Sequence, residues 1–205
     1  TQAAWAPKLA ACTKTAASIR PRTALPRRIT VVAATDTVAA PEPAGGSIGG
    51  SIANNDPAAD YPAALLALGA TIKTNTRSLS AEDFFTGLFE TALDEGEMVT
   101  AVEFTAPEKS GYSKFRNPAS RYAMTGVFVC KHGDGSVGVG VAGAGSDGAF
   151  RSSEMETALA GDFTSAALET ISIDSSDLMS DMHASAEYRA NLIKVMGKRA
   201  VQQAE

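Results

Sequence analysis

The residues whose types and order could do chemistry lie between Ser47 and Leu68, in the run SIGGSIANNDPAADYPAALLAL. A glycine pair, Gly49 and Gly50, precedes a polar stretch with two acids, Asn54-Asn55-Asp56-Pro57 and then Asp60. Glycine lets a backbone approach a ligand with no Cβ in the way. A helix start behind such a turn leaves N–H groups free to meet an anion. Pro62 suits the first turn of a helix, where the N–H it lacks has no partner to lose. The spacing therefore fits a tight turn that feeds a helix and meets an anionic ligand. A plain structural turn is the competing reading. No P-loop G-x-x-x-x-G-K is present to rival it. Two histidines, His132 and His183, and two cysteines, Cys12 and Cys130, are scattered without metal-ligand spacing.

The elements that must position these residues follow from pattern. Ala63 to Leu68 reads as a helix that Gly69 ends, and Thr71 to Thr76 as a strand before a turn at residues 75–78. Ser80 is placed to cap a helical turn, with Asp83 three residues on. Thr86 to Leu93 reads as an apolar loop, and Asp94 to Glu97 as an exposed turn. Met98 to Phe104 alternates as a strand with Met98, Thr100, Val102 and Phe104 on one side. Phe84, Phe85 and Phe89 are expected in the core. Tyr122 to Lys131 and Ser136 to Ala142 read as a hairpin, because Asp134-Gly135 supplies the positive φ angles of a tight turn. Gly138 and Gly140 within the second strand point to close backbone approach or a bulge. Gly143 to Gly148 reads as a loop, Arg151 to Leu159 as a helix, and Ser165 to Ile171 as another. The last helix, capped by Asp181 or Ser185, sets Tyr188, Leu192, Val195 and Met196 on one face. His183 reads as a structural hydrogen-bonding residue of that capping region.

The 205 residues carry a net charge of −5 that is unevenly spread. Residues 1–40 hold six basic residues and one acid, a charge of +5, which leaves −10 for the remainder. The acidic body argues against nucleic acid as a partner. The separated cysteines fit a reducing compartment or an organelle interior, without a disulfide framework. No segment reaches the roughly 18 apolar residues of a membrane helix. The chain is therefore expected not to span a membrane, although it could lie on a membrane complex. Residues 1–46 are basic and rich in Ala, Thr and Pro, with a Pro41–Gly46 linker. They read either as the remnant of an organellar targeting segment, mitochondrial before plastid, or as a basic arm retained along a partner. Ile29 to Ala34 within them fits a short strand or an extended tether.

The whole string from Ser47 resembles the second flavin-binding segment of the FAD-carrying medium subunits of molybdenum hydroxylases, the carbon monoxide dehydrogenase type. So does the run A-x-D-F-F-x-G-x-x-x-T-x-L-x-x-x-E-x-V-T from Ala81 to Thr100. The C-terminal half carries K-F-R-x-x-A-S-x-Y-A from Lys114 and S-D-x-H-A-S-A-E-Y-R from Ser180, in the order of the family's C-terminal domain. The resemblance implies an α+β fold. A partial FAD-binding second-lobe subdomain (47–106) is followed by a flavoprotein C-terminal-like domain (107–205), a small antiparallel sheet packed with helices. Cofactor contacts carried over are Ile48, Gly49, Gly50, Ser51, Asn54, Asp60, Lys114 and Tyr122, with Tyr122 stacking beside the flavin and Lys114 a polar contact near it. No metal ligand and no catalytic residue is implied in this chain. The family-like sequence starts at the IGG turn, so the first flavin lobe is expected to be lost or supplied by another chain. Two functions follow. One is an accessory structural subunit of a larger organellar complex, not catalytic by itself. The other is a working FAD-dependent oxidoreductase subunit that transfers electrons, with a partner completing the pocket.

Overall fold

The computed structural model describes residues 27–32 and 47–204. The basic segment before them, the Pro41–Gly46 linker and Cys12 lie outside the described residues. Two antiparallel sheets of four strands share one helix between them. The first sheet has the order β1-β6-β2-β3, with β1 Arg28–Val32, β2 Thr71–Thr74, β3 Ser78–Ser80 and β6 Val99–Thr105. The second is a meander ordered β10-β9-β8-β7, with β7 Lys109–Arg116, β8 Ala123–Lys131, β9 Val137–Gly145 and β10 Gly148–Arg151. A small hairpin, β4 Phe85–Gly87 and β5 Glu90–Thr91, stands beside them. The helices are α1 Ile48–Asn54, α2 Asp60–Ala67, α3 Ala81–Phe84, α4 Ser153–Gly161 and α5 Ala186–Ala204.

The shared helix is α2, and every one of its residues is buried. Leu65 packs into the core that holds Ile72, Val102 and Phe104 of the first sheet. Its alanines face the second sheet. A Cβ on Gly140 would lie 1.9 Å from the Ala63 carbonyl oxygen, and one on Gly138 would lie 1.8 Å from that of Ala67. Four residues of helix rise about 6 Å and two residues of strand about 6.6 Å, so the small residues of both elements stay in step. The two strand glycines therefore mark close backbone approach, as their cost in a strand implied.

Strand β8 is buried from Ala123 to Cys130 because both faces of its sheet are covered. Phe128 and Cys130 join the α2 core, while Val127 and Val129 join a second core with Val139, Val141, Ile193 and Met196. Helix α5 covers that second face.

Several expectations change on folding. The IGG segment is not a turn ahead of a helix but is itself helical. Ser47 caps it by accepting the Gly50 N–H at 3.1 Å, and Ile48 and Ile52, one turn apart, bury the same side. The stretch from Thr86 to Leu93 forms the β4–β5 hairpin instead of a loop. Phe84 is fully buried and Phe85 half-buried, whereas Phe89 sits at the hairpin tip, 61% exposed with φ +56°. Met98 precedes its strand and is exposed. The Gly143–Gly148 stretch continues β9 and turns into β10, with only Ser146 and Asp147 between them. Ser165–Leu168 is a single 3-10 turn. Tyr188 stays exposed, and the buried face of α5 runs through Arg189, Leu192, Ile193, Met196 and Ala200. Ser185 caps α5 through the Tyr188 N–H at 3.3 Å, while Asp181 serves the loop before it. Arg28–Val32 takes the strand option and pairs with β6, opposite Ala101–Thr105.

Candidate cofactor site

Five of the eight residues picked from the sequence share one short helix. Ile48 and Gly49 lie on the buried side of α1, Ser51 is half-buried, and Gly50 and Asn54 are exposed. Helix α1 ends at Asn55, which adopts the left-handed conformation at φ 43°. Its side-chain amide donates to the carbonyls of Gly87 and Glu90, both at 2.8 Å, and so ties α1 to the β4–β5 hairpin. Asp56 then makes a local turn by accepting the Ala58 N–H at 2.9 Å. That turn delivers Asp60 to the start of α2, where the helix dipole favours an acid.

Asp60 and Lys114 come together. The Lys114 Nζ lies 2.7 Å from Asp60 Oδ2, with the two side chains 6% and 0% exposed. Tyr112, two residues before Lys114 on the same face of β7, donates its hydroxyl to the other Asp60 oxygen. Burial, then the adjacent Asp60 carboxylate, push the Tyr112 phenol well above its ordinary range, so it remains a donor. A carboxylate this deep is tolerated because its charge is paired and both oxygens accept hydrogen bonds.

Tyr122 stands apart from this pair. It lies just before β8, 45% exposed, on the rim of a pocket of about 240 Å³. Pro57 and Ala58 of the α1–α2 connector line the same pocket, as do Met124, Gly143, His183 and Arg189. The connector and the Tyr122 segment, far apart in sequence, thus share one concavity. The Pro57 carbonyl accepts the Gly143 N–H at 2.8 Å and locks them together.

Tyr112, Asn55 and Arg189 escaped the sequence reading. Tyr112 carried a usable signal, its two-residue offset from Lys114 on a strand. Arg189 carried one too, a basic residue one turn before Leu192 and Ile193 on the apolar face of its helix.

Gly50 tests whether the site suits a flavin nucleotide. A Cβ there would meet only the Ser47 Oγ, at 3.4 Å, an ordinary contact. Glycine within a helix costs about 1 kcal/mol relative to alanine. Nothing in the described packing demands that cost, and the bare backbone faces outward. This fits a ligand lying against α1. Asp60 and Lys114 are already satisfied by each other, so the face of α1 and Tyr122 are the parts left open to a cofactor. Among the described residues no cluster of His, Cys, Asp or Glu is arranged to hold a metal, and no helix is long and apolar enough to cross a membrane.

Comparison with known proteins points to a family. Residues 9–107 match the family described as the FAD binding domain in molybdopterin dehydrogenase. The match begins upstream of Ser47, inside the stretch read as an arm or targeting remnant. The glyceraldehyde dehydrogenase medium chain of Sulfolobus acidocaldarius is 35% identical over 168 residues, covering 76% of this chain and 60% of that relative. The carbon monoxide dehydrogenase medium chain of Afipia carboxidovorans is 28% identical over 179 residues, covering 78% and 60%. Among solved structures, reconstituted CO dehydrogenase from Oligotropha carboxidovorans superposes with a TM-score of 0.65 at 29% identity, over 78% of this chain and 61% of that one. The chain thus spans about 60% of the length of the curated relatives it matches. By sequence and by fold, it matches the FAD-binding medium subunits of molybdenum hydroxylases over that span.

Proposed function

We propose that this chain forms one side of an FAD pocket in a molybdenum-hydroxylase-type oxidoreductase, and that other protein subunits complete the assembly. The observation that carries the reading is the exposed, unfilled backbone at Gly50 on α1. Bound FAD would supply electron relay between partners. The chain's own residues would bind and orient it, with α1 offering close backbone approach and Tyr122 an aromatic surface for the ring system. A pocket normally buries most of its ligand. One side alone binds weakly, so the reading requires a second surface from another segment or subunit. A mitochondrial setting belongs to the same proposal, supported by the basic, acid-poor composition of residues 1–40. Fractionation of the source cells checks it.

A second reading, an accessory structural subunit, draws support from the Asp60–Lys114–Tyr112 cluster. Two residues expected at the cofactor are there consumed by contacts within the chain. One experiment separates the two. The native assembly containing this chain is purified and denatured, and released flavin is measured by absorbance and fluorescence. FAD in a one-to-one ratio with the chain, absent from assemblies lacking it, supports the cofactor reading. A stoichiometric chain without flavin overturns it in favour of the accessory role.

A further inference from the structure

Arg189 is 3% exposed in the first turn of α5, and it closes the run SDMHASAEYR. One guanidinium nitrogen, Nη1, donates to the Met124 carbonyl at 2.6 Å and to the Gly143 carbonyl at 2.7 Å. The other, Nη2, donates to Asp181 Oδ2 at 2.7 Å. Asp181 in turn accepts the His183 and Ala184 N–H groups at 2.8 and 3.0 Å on its other oxygen. Each partner belongs to a different wall of the pocket beside Tyr122. Met124 lies two residues after Tyr122. Gly143, at φ +77°, is where β9 leaves its register with β8, and its N–H holds the Pro57 carbonyl. Asp181 organises the loop that carries His183.

We infer that Arg189 is a positioning residue that sets where Tyr122 stands relative to the α1–α2 connector. One planar fork fixes the strand after Tyr122, the bend that grips the connector, and the loop across the pocket. A planar guanidinium does this, and a flexible ammonium cannot reproduce its fixed directions. Arg189 Nε has no partner among the described residues, so the side chain is held by its two terminal nitrogens. The inference rests on the flavin reading for its functional meaning, and its geometry does not depend on it.

The test uses the full protein in its native assembly with a tryptophan reporter, Tyr122→Trp, and, separately, the unmodified Tyr122. Arg189→Lys keeps the charge and loses the fork. It is expected to shift the emission of the reporter and to weaken FAD retention about tenfold, the scale of one charge-assisted hydrogen bond. Arg77→Lys loosens a more exposed carboxylate clamp at the β2–β3 turn and is expected to move neither readout. Unchanged emission and retention in Arg189→Lys, or equal changes in both variants, would overturn the inference. Should Arg189→Lys fail to fold, Asp181→Asn removes only the charge that orients Nη2, and the same two readouts decide. An unmodified assembly without FAD defeats the flavin reading alone, and the reporter then judges Arg189 by itself.

Discussion

At the scale of single residues, the pair formed by Lys114 and Asp60 decides what the sequence-derived site residues do. Both were legible as polar residues of importance. Their partnership was not, because it joins a helix start to a strand 54 residues away. Removing one member of a buried pair leaves the other charge stranded. Lys114→Met is therefore expected to cost about 3–5 kcal/mol in urea unfolding. The double variant Asp60→Asn, Lys114→Met should recover much of that loss, as a double-mutant cycle will show. A single-variant loss within the scatter of surface substitutions would mean the pair is not closed in solution. Cys130 makes a separate case. Its thiol donates to the Ala67 carbonyl at 3.2 Å, and burial pushes its pKa up to about 12. A thiolate is the reactive form, so iodoacetamide at mildly alkaline pH should spare Cys130 in the folded chain and label it after unfolding, as peptide mass spectrometry can read.

At the scale of elements, the contact between α2 and β9 holds the two sheets together. A methyl group at Gly138 must push the backbone of α2 away, because the obstacle is a carbonyl and not a flexible side chain. Gly138→Ala should destabilise by about 3 kcal/mol. Gly161→Ala, where a Cβ meets nothing within 4 Å, should stay within about 0.5 kcal/mol. Denaturation midpoints of the two variants check the contrast. Much of this architecture could be read in advance, and the reasons are local. Ser80 with Asp83, Asp134-Gly135, Gly69 after α2 and the alternation of Val102 and Phe104 all express rules that act over a few residues. What escaped depended on distant partners. Phe89 looked like a core residue by type. Asn55, however, accepts the Phe89 N–H on its own carbonyl and grips both sides of the hairpin turn, which leaves the ring outward. The glycines from 143 to 148 looked like a loop by composition, but Gly145 pairs with Gly148 and bridges to Leu178, which draws the stretch into β9 and β10. Likewise α1 could not be told from a turn, since its helical state depends on burying Ile48 and Ile52 against other elements.

At the scale of the whole molecule, stability should follow pH in two steps. Burial pushes the His132 imidazole below its ordinary value of 6.5, with Asp134 partly opposing. The unfolded chain therefore takes up that proton more readily, and this contribution is lost as pH falls below about 6.5. Glu97, ordinarily near 4.5, is held far lower by Arg77, the Asp94 N–H, and the hydroxyls of Thr74 and Thr76. Its contribution is present above 4.5 and disappears as pH drops further. Urea midpoints measured from neutral pH downward should show both declines, with His132→Gln flattening the upper and Glu97→Gln the lower. A profile unchanged by Glu97→Gln would count against the clamp on that carboxylate. Strand β1 has one more consequence at this scale. It lies on the rim of the first sheet, and Thr30 meets Glu103 across 73 residues of chain. Its amides should exchange with deuterium ahead of those in β2 and β6, since a peripheral strand can detach without unfolding the rest. Detachment bares the ladder of β6 as a template. In a concentrated solution the vacated place can be taken by the same strand from a second molecule, so that reciprocal strand exchange becomes the self-association route this fold leaves open.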